Sequence, residues 1–299
     1  MKDLIFTLRG QYSKDDISYS DGHQSHLLHE EDGFEALVEI MEKGTIGFMY
    51  TVQNGLEFNY VLKGSVEVRL GDETVVLKAG DTFSHHAIHE NIMFRALEDT
   101  EFLGISTCPL YDYYQEDQEH LVTILEQLQE VDGDTLDHCK RVKKLSMGIA
   151  YYMHFNASSI EDLFFAASFH DVGKSKIPVE ILLKPGRLND DEYEIMKEHS
   201  RYTYEMIKEY YGETVASIAF EHHERLDGKG YPRGLKEDEI GMAGRIICVA
   251  DAYDAMVVTR PYRKGLSQEV AMAELYRCAG TQFDERVIKA LEAYLKENT

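Results

Sequence analysis

Between about residues 34 and 107 apolar side chains recur with period two in short runs. Val66, Val68 and Leu70 alternate with Glu67 and Arg69, and Val75, Val76 and Leu77 follow a Gly71-Asp72 turn, which predicts a two-residue hairpin. The stretches 36–41, 46–51, 56–62, 92–97 and 102–106 predict further strands. Turn residues recur about every eight to twelve positions, the spacing of a small sandwich or barrel of antiparallel strands. From Glu119 onward the period shifts to helical. Leu121, Ile124, Leu125 and Leu128 form a stripe that predicts a connecting helix, packed either on its own domain or on a second copy. Helices are expected over 134–153, after Ser158 with Glu161 completing a capping box, and over 190–210, 213–224, 242–258, 267–279 and 284–296.

These patterns divide the chain into an N-terminal segment (1–30), an all-β domain (31–107), a linker with the connecting helix (108–131) and an all-α domain (132–299). Residues 1–30 have no clear period. His23, His26 and His29, spaced by three, would make a metal-binding face on a helix; solvated loop histidines are the favoured reading, and no role is assigned to them. With 299 residues, 43% of them apolar, both domains can bury separate cores.

The net charge of −23 and the lack of any basic run argue against polymeric nucleic acid and anionic membrane as partners. A phosphate-rich ligand would need a local positive centre, which bound metal can supply. Cys108, Cys139, Cys248 and Cys278 are far apart, which predicts free thiols in a reducing cytosol. No signal peptide is read at the N-terminus, and no apolar run has the length of a membrane helix, so a cytoplasmic protein is expected.

The candidate chemistry lies in the helical half. His138 continues the apolar stripe that leads to Val142; His199 shares a face with Met196, Tyr202 and Met206; His222 follows Val215 and Ile218; Asp251 follows Ile247 and precedes Asp254. Helical phase turns each of these toward a core, where an unpaired polar group is costly. One inward histidine is usually a satisfied core residue. Five histidines (His138, His170, His199, His222 and His223) with Asp171 and Asp251 are satisfied together by metal ions. In the adjacent pair His170-Asp171, the carboxylate can bridge two ions while the imidazole caps one. Two such ions suit in-line displacement at phosphorus by an acidified bridging water. Lys174 is placed to reach a phosphate oxygen, with Asp171 and Lys174 as the catalytic pair. Asp227, Gly228, Gly230 and Tyr231 are placed to shape a substrate loop, and Arg260 and Arg263 to contact phosphate or guanine or else to pair with nearby acids.

Two resemblances sharpen this reading. Residues 58–68 and 78–82 resemble the two motifs of the cupin family, with Glu57 and Asn59 standing where paired histidines are usual and His85, His86 and His89 following the second motif. That implies a cupin-like β-barrel or jelly roll, read here as a sensory or dimerising domain for an unknown small ligand. Residues 134–264 resemble the HD-GYP phosphodiesterases: His170-Asp171 with Gly173-Lys174, Glu198-His199, His222-His223-Glu224, Asp227-Gly228-x-Gly230-Tyr231-Pro232, Asp251 and the Arg-Pro-Tyr-Arg run. The resemblance implies an all-helical HD domain with iron or manganese held by His138, His170, Asp171, His199, His222, His223 and Asp251. It also implies hydrolysis of a cyclic dinucleotide, cyclic di-GMP to pGpG or GMP. Asp134 stands where members with a third metal carry glutamate, which favours two ions; a third site would draw on Asp134 and Asp254. Val257-Val258 is apolar where a polar loop is expected. A homodimer, a non-catalytic nucleotide-binding module and hydrolysis of cyclic GMP-AMP are the further expectations.

Overall fold

A computed structural model describes residues 17–20, 22–31, 33–49, 55–70, 73–86, 92–107, 111–155, 159–259 and 264–298. The chain divides into two compact units between Glu116 and Asp117. The Gly71-Asp72 turn, His89, Cys108, Ser158, Arg260 and Arg263 lie outside the described residues.

The first unit is all-β. Its strands are β1 (Ile17–Ser20), β2 (His23–Glu31), β3 (Phe34–Met41), β4 (Ile46–Met49), β5 (Leu56–Lys63), β6 (Ser65–Leu70), β7 (Glu73–Lys78), β8 (Thr82–His86), β9 (Ile92–Ala96) and β10 (Thr100–Ser106). They form two antiparallel sheets, ordered β1-β2-β3-β10-β5-β8 and β4-β9-β6-β7. Met41, Val61 and Phe102 of the first sheet meet Val66, Ile92, Phe94 and Ala96 of the second in one core between two antiparallel sheets. Alternation explains the register: Val66 and Val68 oppose Leu77 and Val75 across the β6–β7 pair. The unassigned N-terminal stretch is a correction. It holds β1 and β2, and His23, His26 and His29 sit on β2, neither in a helix nor in a loop. The serine and histidine content of β2 hid it from a search for apolar alternation; pairing with β3 holds it in place.

The second unit is helical: α1 (Tyr111–Asp132), α2 (Thr135–Tyr152), α3 (Ile160–Phe169), α4 (Val179–Leu182), α5 (Asp190–Phe220), α6 (Met242–Val257), α7 (Gln268–Arg277) and α8 (Glu285–Glu297). Helix α1 begins at Tyr111, inside the stretch expected to be linker; its polar first turns mask the helical period. Leu121, Leu125 and Leu128 are buried, as the stripe requires. At α3 the N-cap is Ser159, and no side-chain capping bond forms there. The two helices expected over 190–224 run as one element broken at Gly212 (φ 77°), capped at its start by Asn189 and Glu192. That element stops at Phe220. His222 and His223 therefore lie in the turn after the helix and not on it.

The close approach of two elements sets the site. A 3-10 turn (Val172–Lys176) leans on α5 so tightly that a Cβ on Gly173 would lie 2.2 Å from the His199 carbonyl oxygen and 2.4 Å from the Thr203 nitrogen. Only glycine fits, and the Gly173 N–H donates to the Thr203 hydroxyl at 2.9 Å. This contact carries His170 and Asp171 up against His199.

Candidate metal centre

Four imidazoles are aimed by what their Nδ1 atoms touch. His170 Nδ1 lies 2.9 Å from the Ala167 carbonyl, His199 Nδ1 2.7 Å from Met196 and His222 Nδ1 2.6 Å from Ala219. His138 Nδ1 lies 2.7 Å from an Asp254 carboxylate oxygen. Carbonyl and carboxylate oxygens only accept, so each Nδ1 donates; in the three rings backed by carbonyls this leaves the Nε2 lone pair pointing inward. The three carbonyl partners all lie three residues before the ring, where the chain has just left or is still following a helical turn.

The inward atoms form two donor groups among the described residues: His138, His170 and Asp251; and Asp171, His199, His222 and His223. Within each group the atoms lie within 4.8 Å of one another. Asp171 joins the groups. Its Oδ2 is 3.5 Å from His138 Nε2 and 3.6 Å from His170 Nε2, while its Oδ1 is 3.4 Å from His199 Nε2 and 3.9 Å from His222 Nε2. Asp251 reaches both as well, with Oδ1 3.1 Å from His138 Nε2 and Oδ2 3.9 Å from His223 Nδ1. Lys174 Nζ sits 2.5 Å from Asp171 Oδ2.

The arrangement fits divalent cations on three counts. Asp171 Oδ1 is buried and has no hydrogen-bond partner, although imidazole nitrogens surround it. His199 and His222 face each other through Nε2 at 3.4 Å with their Nδ1 protons already committed. Two bare lone pairs at that distance call for a positive charge between them. Burial pulls both rings down from 6.5 to about 4, so near neutral pH they are unprotonated ligands. His223 is held low by burial too, and then by His222 and His199. His138 goes the other way. Burial would lower it, yet its bonds to Asp251 and Asp254 push it up to about 9, so a proton there supplies the charge that the carboxylates demand. Burial would raise Asp171, but Lys174 and the histidines outweigh it and hold the carboxyl well below its usual range.

Asp134 and Asp254 belong to neither group. Asp134 lies 2.9 Å from an Arg141 nitrogen, and Asp254 takes both Arg141 Nε at 2.7 Å and the His138 ring. Asp227 is held by Arg225, with Oδ1 3.0 Å from Nε and Oδ2 2.9 Å from the terminal nitrogen. Tyr231 stands over the second group, its ring centroid 4.7 Å from that of His223. Gly230 permits this: a Cβ there would lie 2.5 Å from the Arg225 nitrogen and from the Glu224 Cα. Gly228 turns at φ 73°, and the Tyr231-Pro232 peptide is cis.

Three residues support these positions in roles the sequence did not suggest: Arg141, Glu224, which appeared only within a motif, and Asp254, which was expected as a ligand of a third metal. Glu224 is buried and accepts from the Arg233 and Leu235 backbone N–H groups at 2.7 and 2.9 Å, clasping the loop that carries Tyr231. Arg141 and Asp254 hold His138. The signal for that pair was present: Arg141 follows His138 by three residues and Asp254 follows Asp251 by three, so each shares a helix face with a candidate ligand.

Buried imidazoles and carboxylates grouped on a helical scaffold around a shared aspartate define a metal-dependent hydrolase of the HD class. The chain belongs to the HD domain family, whose model matches residues 114–287. It is 34% identical over 292 residues to the cyclic di-GMP phosphodiesterase of Thermotoga maritima, a match covering 91% of this chain and 78% of that protein. It is 40% identical over 142 residues to 3'3'-cGAMP-specific phosphodiesterase 1 of Vibrio cholerae, covering 46% of this chain and 32% of that one. Further phosphodiesterase relatives are spanned over 53% and 48% of their lengths. The β-unit is similar to an RmlC-like cupin from Shewanella frigidimarina at 18% identity and TM-score 0.29, covering 34% of this chain and 95% of that one. Among the described residues no helix is long and apolar enough to cross a membrane.

Proposed function

We propose that this chain hydrolyses a cyclic dinucleotide, cyclic di-GMP first, to a linear dinucleotide or mononucleotide, with the cupin-like unit acting as a sensor. The observation that carries the proposal is Asp171, whose two oxygens face two separate donor groups while one of them lacks any hydrogen bond. His138, His170 and Asp251 would hold one ion, His199, His222 and His223 a second, and Asp171 would be shared; iron or manganese suits such mixed imidazole and carboxylate donors. Bound there, the ions would polarise a phosphodiester and acidify water.

The chain's own residues do the rest. Lys174, fixed to Asp171, puts a positive charge at the edge of the donor groups, where a phosphate oxygen can exchange for the carboxylate contact. Tyr231 covers the His223 side and narrows access for water. Arg260 and Arg263 are assigned to substrate on sequence grounds, with Gly228 and Gly230 shaping the loop. Asp227 serves that loop through Arg225.

Reduction in the cytosol is consistent with Cys139, Cys248 and Cys278 being free. A homodimer through the β-unit or α1, and a small ligand in the β-unit, complete the proposal. Cyclic GMP-AMP is the second candidate substrate, favoured by the relatives named for it.

The test is direct. Anaerobically purified protein loaded with iron or manganese is incubated with each cyclic dinucleotide, and the products are separated by chromatography. Linear product that disappears in Asp171→Ala supports the proposal. Binding without product makes the chain a nucleotide-responsive module, and neither binding nor product overturns the substrate assignment.

A further inference from the structure

One side of the donor groups continues outward as a line of rings. From His223 the path runs to Tyr231 at 4.7 Å between centroids, and from Tyr231 to Tyr193 at 6.3 Å, the last pair edge to face at 81°. Tyr193 lies near the start of α5 and is 47% exposed, an unusual amount of aromatic surface to leave in water beside a polar site. One helical turn on, Lys197 places Nζ 5.4 Å from the Tyr193 centroid and 5.8 Å from that of Tyr231. Its carboxylate partner is Glu194 at 2.7 Å, itself 69% exposed. The pair is open to solvent at its Glu194 end while Lys197 is 25% exposed, and an ion pair with one wet partner is worth little and can exchange that partner for another anion.

A wet aromatic face and an exchangeable ammonium, contiguous with a metal-binding group, match the two parts of a nucleotide that are not being cleaved: a planar base and a second phosphate. The chain's charge of −23 makes any fixed cation beside the site count for more. We propose that Tyr193 and Lys197 form a subsite in which one nucleobase of the substrate stacks on the Tyr193 ring and the adjoining phosphate takes Lys197 in place of Glu194. This rests on the reading of the chain as a cyclic-dinucleotide phosphodiesterase. The subsite binds any base, because stacking needs only a π face, so it supplies affinity more than choice between guanine and adenine.

The experiment uses the full metal-loaded chain. Steady-state kinetics with cyclic di-GMP and cyclic GMP-AMP are measured for the parent protein, Tyr193→Ala, Tyr193→Phe and Lys197→Met, with metal content determined for each. The alanine variant is expected to raise KM about tenfold for both substrates with kcat nearly constant, and phenylalanine to restore it, since the stacking face returns. Lys197→Met is expected to raise KM and to flatten its dependence on salt. Unchanged KM in both Tyr193→Ala and Lys197→Met overturns the subsite. A fall in kcat together with metal content overturns it as well, by showing that these residues only support the fold. Absence of turnover in the parent protein counts instead against the phosphodiesterase reading, and equal binding of cyclic di-GMP by parent and Tyr193→Ala would then overturn the subsite separately.

Discussion

Asp254→Asn tests whether the two donor groups are built differently. Three of the candidate ligand histidines are oriented by backbone carbonyls of Ala167, Met196 and Ala219, which no side-chain substitution removes. Of the four with a described Nδ1 bond, His138 is the one oriented by a side chain, the 2% exposed carboxylate of Asp254, and that carboxylate is clamped by Arg141 at 2.7 Å. Asparagine keeps the shape but removes the charge. Hydrogen bonds to charged groups contribute about 1.5–3 kcal/mol. Losing such a partner behind a ligating histidine typically costs 10- to 100-fold in metal affinity, or about 1.4–2.7 kcal/mol. The loss should fall on the group of His138, His170 and Asp251 and spare that of His199, His222 and His223. The assay is elemental analysis after dialysis against graded chelator. The expected result is a two-step release in which only the first step moves to lower chelator concentration. Parallel loss of both ions, or no change in either step, refutes the reasoning, because it would mean that Asp254 supports the helices generally or does nothing for His138.

Two more outcomes follow from the same geometry. In metal-stripped protein, His199 and His222 stay unprotonated to about 4 in the fold but take protons from 6.5 downward when unfolded, so stability should fall between those pH values by up to about 3 kcal/mol per ring. His138, raised to about 9, has the opposite sign: its contribution is complete below 6.5 and fades as pH rises toward 9, so the urea midpoint should peak near pH 6.5, and a flat profile from pH 4.5 to 9 would contradict both assignments. Glu224→Gln can accept only one of the two backbone bonds from Arg233 and Leu235, so faster amide exchange is expected over residues 228–235, with KM rising more than metal is lost; unaltered exchange would show that the loop holds itself.

How much of this was legible beforehand depended on whether a residue's task was set by local phase or by distant partners. The helices bearing His138, His199 and Asp251 were readable because apolar neighbours three and four residues away fix which way each side chain points. The placement of Asp171 between two donor groups was readable because its neighbour His170 leaves the carboxylate free to face a second group. Strands β1 and β2 were not readable: His23, Ser25 and Glu39 bond one another across β2 and β3, so polar pairing stands in for the apolar alternation that betrays a strand. The end of α5 was also misplaced, because no residue between Phe220 and His223 is a helix breaker.

That early stop matters to the chemistry. Two adjacent residues on a continuing helix point about 100° apart. In the turn they occupy, His222 and His223 bring their rings to 3.9 Å between centroids, tilted by 44°, and both contribute to one donor group with Asp171 and His199. The turn is held from both sides. His222 Nδ1 donates back to Ala219, while the Glu224 side chain reaches forward to the loop that places Tyr231 over His223. The placement of the donor group and that of the Tyr231 ring therefore share one support. A substitution at Glu224 is felt first at Tyr231, and one at Gly173, which sets the approach of Asp171 to His199, is felt first at the shared carboxylate.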